Sequence, residues 1–256
     1  MADDAPARDR DRAVDAPTGN ALLDMMPRRW RTLFHERGET VDLSSGALLF
    51  VSGRDIDRSY FPLQPMMVSL LVEVDDRRRV EVATIGREGA IGGIVSCGDL
   101  PAYTRAEVQV AGRLLAVPMT TVEEAKRDDL VVRDLFCRYA DALLAQIMQS
   151  VACNTFHPIE ARAARWLLTA QDRAGDQLAL TQGALAALLG VQRTSVNAVA
   201  RQLQDEGLIH YRRGIVTVTD RAELEHRACE CYAAVRRHFD RVLGDEQASW
   251  IEACRD

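Results

Sequence analysis

Thr181 to Leu203 reads TQGALAALLGVQRTSVNAVARQL, and this stretch sets the fold of the chain around it. Divided at Gly190, it puts Leu185, Ala186, Leu189, Val191, Val196 and Val199 at inward positions, the spacing with which two short helices share one small core. Thr181 precedes the first helix and caps it through its hydroxyl, and Ala186 leaves room for the second helix to pass. Gly190 takes the turn, where a positive φ is expected and a side chain would clash. Around the second helix Val196, Val199, Ala200 and Leu203 form one side. Thr194, Ala198, Arg201 and Asp205 lie opposite, with Arg193, Ser195 and Asn197 on the flanks. A polar, short-chained outer face suits a helix laid into a DNA groove. An ordinary helical hairpin has the same inner spacing, so the neighbouring sequence must decide.

That neighbour is GLIHYRRGIVTVTD from Gly207. Ile209 and Tyr211 alternate with polar residues, Arg213-Gly214 makes a turn, and Ile215, Val216 and Val218 return as a second strand. A β-hairpin directly after the second helix is a wing. Its tip carries Arg212 and Arg213, suited to phosphate contacts, with two solvated turn residues as the alternative.

The chain has 256 residues, 47% of them hydrophobic, enough for two domains with their own cores. A net charge of -6 argues against indiscriminate nucleic-acid binding. Between Pro158 and Arg221, however, eight arginines face six acidic residues, so the excess acid lies elsewhere. Six scattered cysteines, no charged-then-apolar leader and no long apolar run lead us to expect a cytoplasmic protein with reduced thiols and no membrane partner.

Residues 1–20 are charged and small and read as a disordered tail. Leu22, Leu23, Met25, Met26, Trp30, Leu33 and Phe34 then give a short helical lead-in, interrupted near Pro27. Between Glu39 and Pro118, short alternating apolar runs predict an antiparallel sandwich or small barrel of about six to eight strands, with Asp75-Asp76 at a hairpin tip. From Val122 to Cys153 the period becomes helical. Val132, Phe136, Tyr139, Leu143, Ile147 and Val151 recur at three or four, with Leu135, Ala140, Leu144 and Met148 beside them. A stripe this wide predicts a dimer helix; the alternative is one long helix lying across its own β domain. After Pro158 a further helix carries Ile159, Ala163, Trp166, Leu167 and Ala170 inward, and a last helix is expected from Arg221 to Leu243.

A β-roll, a long helix and a C-terminal winged helix-turn-helix, in that order, resemble the Crp/Fnr family of bacterial transcription regulators. The strings YFP from Tyr60, VEVATIGREGAIGG from Val80, CNTFH from Cys153, ARWLL from Ala164, LTQGALAALLGV from Leu180 and GLI from Gly207 carry the resemblance, from about Leu33 to Arg221. It implies an α+β chain with an N-terminal antiparallel, cyclic-nucleotide-binding-like β-roll sensor domain (21–121), a dimerisation helix (122–153), a winged DNA-binding domain (154–221) and a helical extension (222–256). It further implies a homodimer on a palindromic double-stranded operator, with RNA polymerase and a small-molecule effector as further partners. Arg193, Thr194, Ser195 and Asn197 are then expected at bases or nearby phosphates and Arg201 at phosphate, while Thr181 with Gln182 presents helix-end amides to the DNA backbone.

The departures are specific. The phosphate cassette of cyclic-nucleotide-binding members corresponds here to Gly92-Gly93-Ile94 and Thr104-Arg105-Ala106. The glutamate is missing, and the arginine is displaced by one residue, which in a strand turns it to the other face. Cyclic AMP is therefore not expected; Gly92, Gly93, Thr104 and Arg105 stand as the candidate pocket for another effector. No cysteine precedes Cys97, so the family's N-terminal iron–sulfur cluster cannot be built the same way. No metal is expected either: Pro158 places Cys153 and His157 at a helix end, in a packing or capping role. Cys229 and Cys231, two apart on one helix, would point about 200° apart. In the reading helix the family's frequent glutamate site is Thr194 and a frequent arginine site is Ala198, which can touch a thymine methyl. Catalysis is not expected, since His35 is the only histidine before Cys153 and no serine nucleophile elbow occurs. A regulator without an effector, controlled by abundance or by oxidation of Cys97 or Cys137, is the other reading.

Overall fold

The computed structural model describes residues 17–75, 78–94 and 100–244. Most of the expected tail, Asp76 of the expected hairpin tip, Cys97 and Cys254 lie outside the described residues.

Among the described residues the alternating region folds into seven strands: β1 (Glu39–Leu43), β2 (Leu48–Phe50), β3 (Arg58–Pro62), β4 (Met67–Glu73), β5 (Arg79–Ile85), β6 (Arg105–Val110) and β7 (Gly112–Pro118). They form two antiparallel sheets, ordered β1-β7-β3 and β2-β6-β4-β5. The period of two sends Val68, Leu70, Ala83, Ala106, Val108 and Leu114 into the apolar interior of the roll. On the other face of β4, Met67 and Leu71 join the core of the C-terminal domain.

The chain enters earlier than its composition predicts. Asn20, expected in the tail, is fully buried: it accepts the Leu23 amide at 3.0 Å and donates to the carbonyls of Pro62 at 3.0 Å and Gly89 at 2.8 Å. It caps α1 (Ala21–Asp24), and α2 (Arg28–Arg37) follows with Trp30 and Phe34 buried.

Two helices replace the single one expected from Val122. α3 (Met119–Asp128) stops at Asp129, and α4 runs from Leu130 to Phe156. The Asp129 carboxylate accepts the Val131 amide at 2.9 Å and is itself held by Arg29 at 2.7 Å and Trp30 Nε1 at 2.8 Å. The expected dimer face must also be corrected. Val132, Phe136, Tyr139 and Leu143 are buried within the chain itself, and the Tyr139 hydroxyl donates to the Ala90 carbonyl at 3.0 Å. Of the six residues predicted there, Ile147 is half-buried and Val151 is exposed. The exposed apolar stripe lies a step round the helix, at Leu130, Leu144, Met148 and Val151, ending on Phe156. α4 is apolar on two sides; periodicity finds both but cannot tell which one the roll covers.

The C-terminal part comprises α5 (Ile159–Ala174), β8 (Gln177–Ala179), α6 (Gln182–Leu189), α7 (Arg193–Asp205), β9 (Ile209–Arg212), β10 (Ile215–Val218), α8 (Arg221–Arg227) and α9 (Cys231–Leu243). The short β8, which the sequence reading lacks, completes a sheet ordered β8-β10-β9. The last helix is broken between Arg227 and Cys231, and α9 packs on α4. No described helix is long and apolar enough to cross a membrane.

Candidate nucleic-acid interface

α6 and α7 meet as the sequence spacing predicts, with Leu185, Ala186, Leu189, Val196 and Val199 buried together in one core and Val191 packed against it. Thr181 caps α6 by accepting the Ala184 amide at 3.1 Å. Gly190 ends the helix at φ 67°, and the Val191 amide closes on the Ala186 carbonyl at 3.0 Å. A Cβ on Gly190 would meet Val80 Cγ2 only at 3.4 Å, an ordinary contact. The expected clash is absent, and the left-handed backbone alone calls for glycine.

This turn aims α7 outward. Arg193, Thr194, Asn197, Ala198 and Arg201 are exposed on it and Ser195 is half-buried, while Val196, Val199, Ala200 and Leu203 anchor the opposite side. In the wing, Arg213 at φ 52° and Gly214 at φ 79° form the two-residue connection between β9 and β10, with both central residues left-handed as in a type I′ turn. Arg212 and Arg213 are exposed there. Among the described residues Arg193, Arg201, Arg212 and Arg213 enter no ion pair, whereas Arg173 pairs with Glu88 at 2.7 Å and Arg221 with Asp172 at 2.7 Å. Among the described residues, the exposed arginines of residues 161–227 that enter no ion pair thus lie on α7 and the wing, while the unpaired Arg162 and Arg165 of α5 are buried and half-buried. The start of α6 is less open than expected, because the Gln182 amide already donates to the Tyr211 hydroxyl at 3.0 Å and the Ala184 amide to Thr181.

The four residues named for an effector pocket have their own surroundings. Gly92 at φ 90° and Gly93 at φ 63° sit where a Cβ would run into Ile56 and Met119 respectively, and Lys126 donates to the Gly93 and Ile94 carbonyls at 3.3 and 3.1 Å. Thr104 is half-buried just ahead of β6. Ala106 fills the inward place on that strand, and Arg105 turns outward to pair with Glu73 at 3.3 Å and Glu107 at 3.2 Å.

A further correction concerns the cysteines. α4 stays helical through Phe156, so Cys153 and His157 fall on one side of its end. Cys229 precedes α9 rather than lying on it, so the opposed directions expected of Cys229 and Cys231 do not arise. The donor atoms of Cys153, His157, Cys229 and Cys231 lie within 4.8 Å of one another. A hydrogen bond from the Cys229 thiol holds the Cys153 thiol below its ordinary value, and Arg165 and His157 act in the same direction.

Glu81 on the outer face of β5 ties the roll to the C-terminal part. Trp166 Nε1 of α5 donates to it at 2.8 Å, and the Ser69 hydroxyl donates to its other oxygen. Burial raises the pKa of its carboxyl to about 7 against the pull of those bonds and of Arg165 and Arg173.

Residues 161–227 match the Crp-like helix-turn-helix domain family. The fold is similar to FixK2 from Bradyrhizobium japonicum, with 16% identity, a TM-score of 0.64 and coverage of 75% of this chain and 98% of that one. It is likewise similar to TTHA1359, a Crp/Fnr-family transcriptional regulator from Thermus thermophilus, with 21% identity, a TM-score of 0.59 and coverage of 74% and 98%. A third similar structure is CLP, the c-di-GMP-responsive global regulator of Xanthomonas campestris, with 18% identity, a TM-score of 0.61 and coverage of 76% and 100%. No curated protein sequence matches the chain. Residues 161–227 thus form a Crp-like helix-turn-helix domain, on a chain whose fold is similar to that of these regulators.

Proposed function

We propose that the protein acts as a homodimer on a two-fold symmetric operator, laying one α7 into each of two successive major grooves. The observation that carries this reading is the set of exposed arginines without an ion pair on the second helix of the helix-turn-helix and on the hairpin that follows it: Arg193 and Arg201 on α7, Arg212 and Arg213 on the wing. Arg193 reads a base edge with Thr194, Ser195 and Asn197 beside it, Ala198 lies against a thymine methyl, and Arg201 and the wing arginines take phosphates. The exposed Leu144, Met148 and Val151 of α4 support the second copy, since they recur at the intervals of a coiled-coil seam.

The protein so described works in the cytoplasm, alongside RNA polymerase. Its roll answers to an effector other than cyclic AMP, because Ala106 holds the inward place that a phosphate-binding arginine would need. The test of the reading helix is affinity for an operator recovered from random DNA, compared between wild type and Arg193→Ala. A loss of about 1–3 kcal/mol with relaxed preference at one base position is expected. An Arg193→Ala protein that keeps its full sequence preference would overturn the assignment.

A further inference from the structure

We propose that Cys153, His157, Cys229 and Cys231 form a mononuclear zinc site that locks the end of α4 to the start of α9. Cys153 Sγ lies 3.5 Å from Cys229 Sγ, and Cys231 Sγ lies 3.4 Å from His157 Nδ1. In a tetrahedral site with metal–sulfur bonds of about 2.3 Å and metal–nitrogen bonds of about 2.0–2.1 Å, neighbouring donors stand about 3.5–3.8 Å apart. Two of the donor pairs already stand at about that separation, and all four donors lie within 4.8 Å of one another. An iron–sulfur cluster would place several metal atoms between its cysteines and spread them further.

Buried cysteines alone are common core residues. Three features point here to a ligand set. His157 turns Nδ1 to the sulfurs and its other nitrogen, Nε2, to the Glu230 carboxylate at 3.1 Å, the arrangement that fixes a metal-binding imidazole. Gln149 Nε2 donates to Cys231 Sγ at 3.0 Å, as outer groups do to a bound thiolate. The three thiols are nearly fully buried, yet among the described residues they form a cluster of their own that only Ala161 joins, with no large apolar side chain packed against it. Three thiolates and one imidazole are a donor set selective for a thiophilic ion such as Zn2+.

The site spans the joint between α4 and α5. His157 and Pro158 are the whole connection, and Arg162, one turn into α5, reaches from beside Cys153 to the Leu189 carbonyl at the end of α6. An ion here fixes the angle between the α4 seam and the reading helix. That consequence rests on the DNA-binding reading above; the metal assignment does not.

The test uses the full chain, stripped with a chelator under reducing conditions and titrated with Zn2+ or Co2+ alone. One ion per chain, an intense tetrahedral Co2+ spectrum with sulfur charge-transfer bands, and protection of three thiols from a thiol reagent are expected. Cys229→Ser abolishes stoichiometric binding, Glu230→Gln weakens it by about 10- to 100-fold, and Cys137→Ser, at an exposed cysteine, leaves it unchanged. If a ligand variant misfolds, thiol protection in the wild type still decides the matter. No stoichiometric ion, an octahedral Co2+ spectrum, or iron with labile sulfide would overturn the zinc site. Stoichiometric zinc without any change in operator affinity on stripping would leave the site standing and overturn its regulatory role.

Discussion

At the scale of single residues, Arg213 holds an unfavourable backbone position at the tip of the wing. It is the only described non-glycine residue with a positive φ, at 52°, in a position that Asn or Gly takes more easily. Arg213→Asn is expected to stabilise the isolated protein by about 0.5–1 kcal/mol while weakening operator binding and lowering the salt slope by about one. Thermal denaturation and a salt-series titration measure the two effects; a variant that weakens neither binding nor its salt dependence would make Arg213 an ordinary turn residue. Gly190 and Thr181 were legible in the sequence because each answers a local need, a left-handed turn and a helix cap. Cys229 was not, because its direction depends on a helix break that nothing in its neighbours announces.

Among the elements, α4 carries the most consequence. Its inner side is settled by Val132, Phe136 and Tyr139 against the roll, leaving Leu144, Met148 and Val151 outside. Leu144→Glu with Met148→Glu should therefore give a folded monomer with circular dichroism like the wild type, whereas a dimer surviving in sedimentation would place the interface elsewhere. The sequence showed a helix with too much apolar surface for one contact, but gave to a partner the side that the roll covers. Hydrophobic spacing is a local property, and the choice of side belongs to tertiary packing.

The contact between β5 and α5 makes a second prediction at this scale. Glu81 has its carboxyl raised from 4.5 to about 7 in the folded chain, with Ser69, Trp166, Arg165 and Arg173 around it. A raised carboxylate favours the folded form while protonated, so its contribution is full below about pH 4.5 and is lost as the pH rises through about 7. Relative to Glu81→Gln, which keeps partners for Trp166 and Ser69, the wild type should lose up to about 3 kcal/mol over that window. Equal pH profiles for the two proteins would show that Glu81 is solvated.

For the whole molecule, the order of roll, long helix and winged domain was readable because each part has its own period: two in the strands, three to four in the helices. What joins the parts was not. Met67 and Leu71 of the roll share a core with the C-terminal domain, Glu81 meets Trp166, and the segment entering α9 returns to α4 at the cysteine cluster. These are contacts between residues distant in sequence, and no spacing rule reaches them. They make the position of α7 a property of the whole chain.

Selection of bound sequences from a random duplex pool by the purified full-length protein tests the central claim most directly. A palindrome is expected whose half-site centres lie about 10–10.5 base pairs apart, one turn of the double helix. A single unpaired half-site, or no enriched sequence in either the zinc-loaded or the stripped protein, would contradict it.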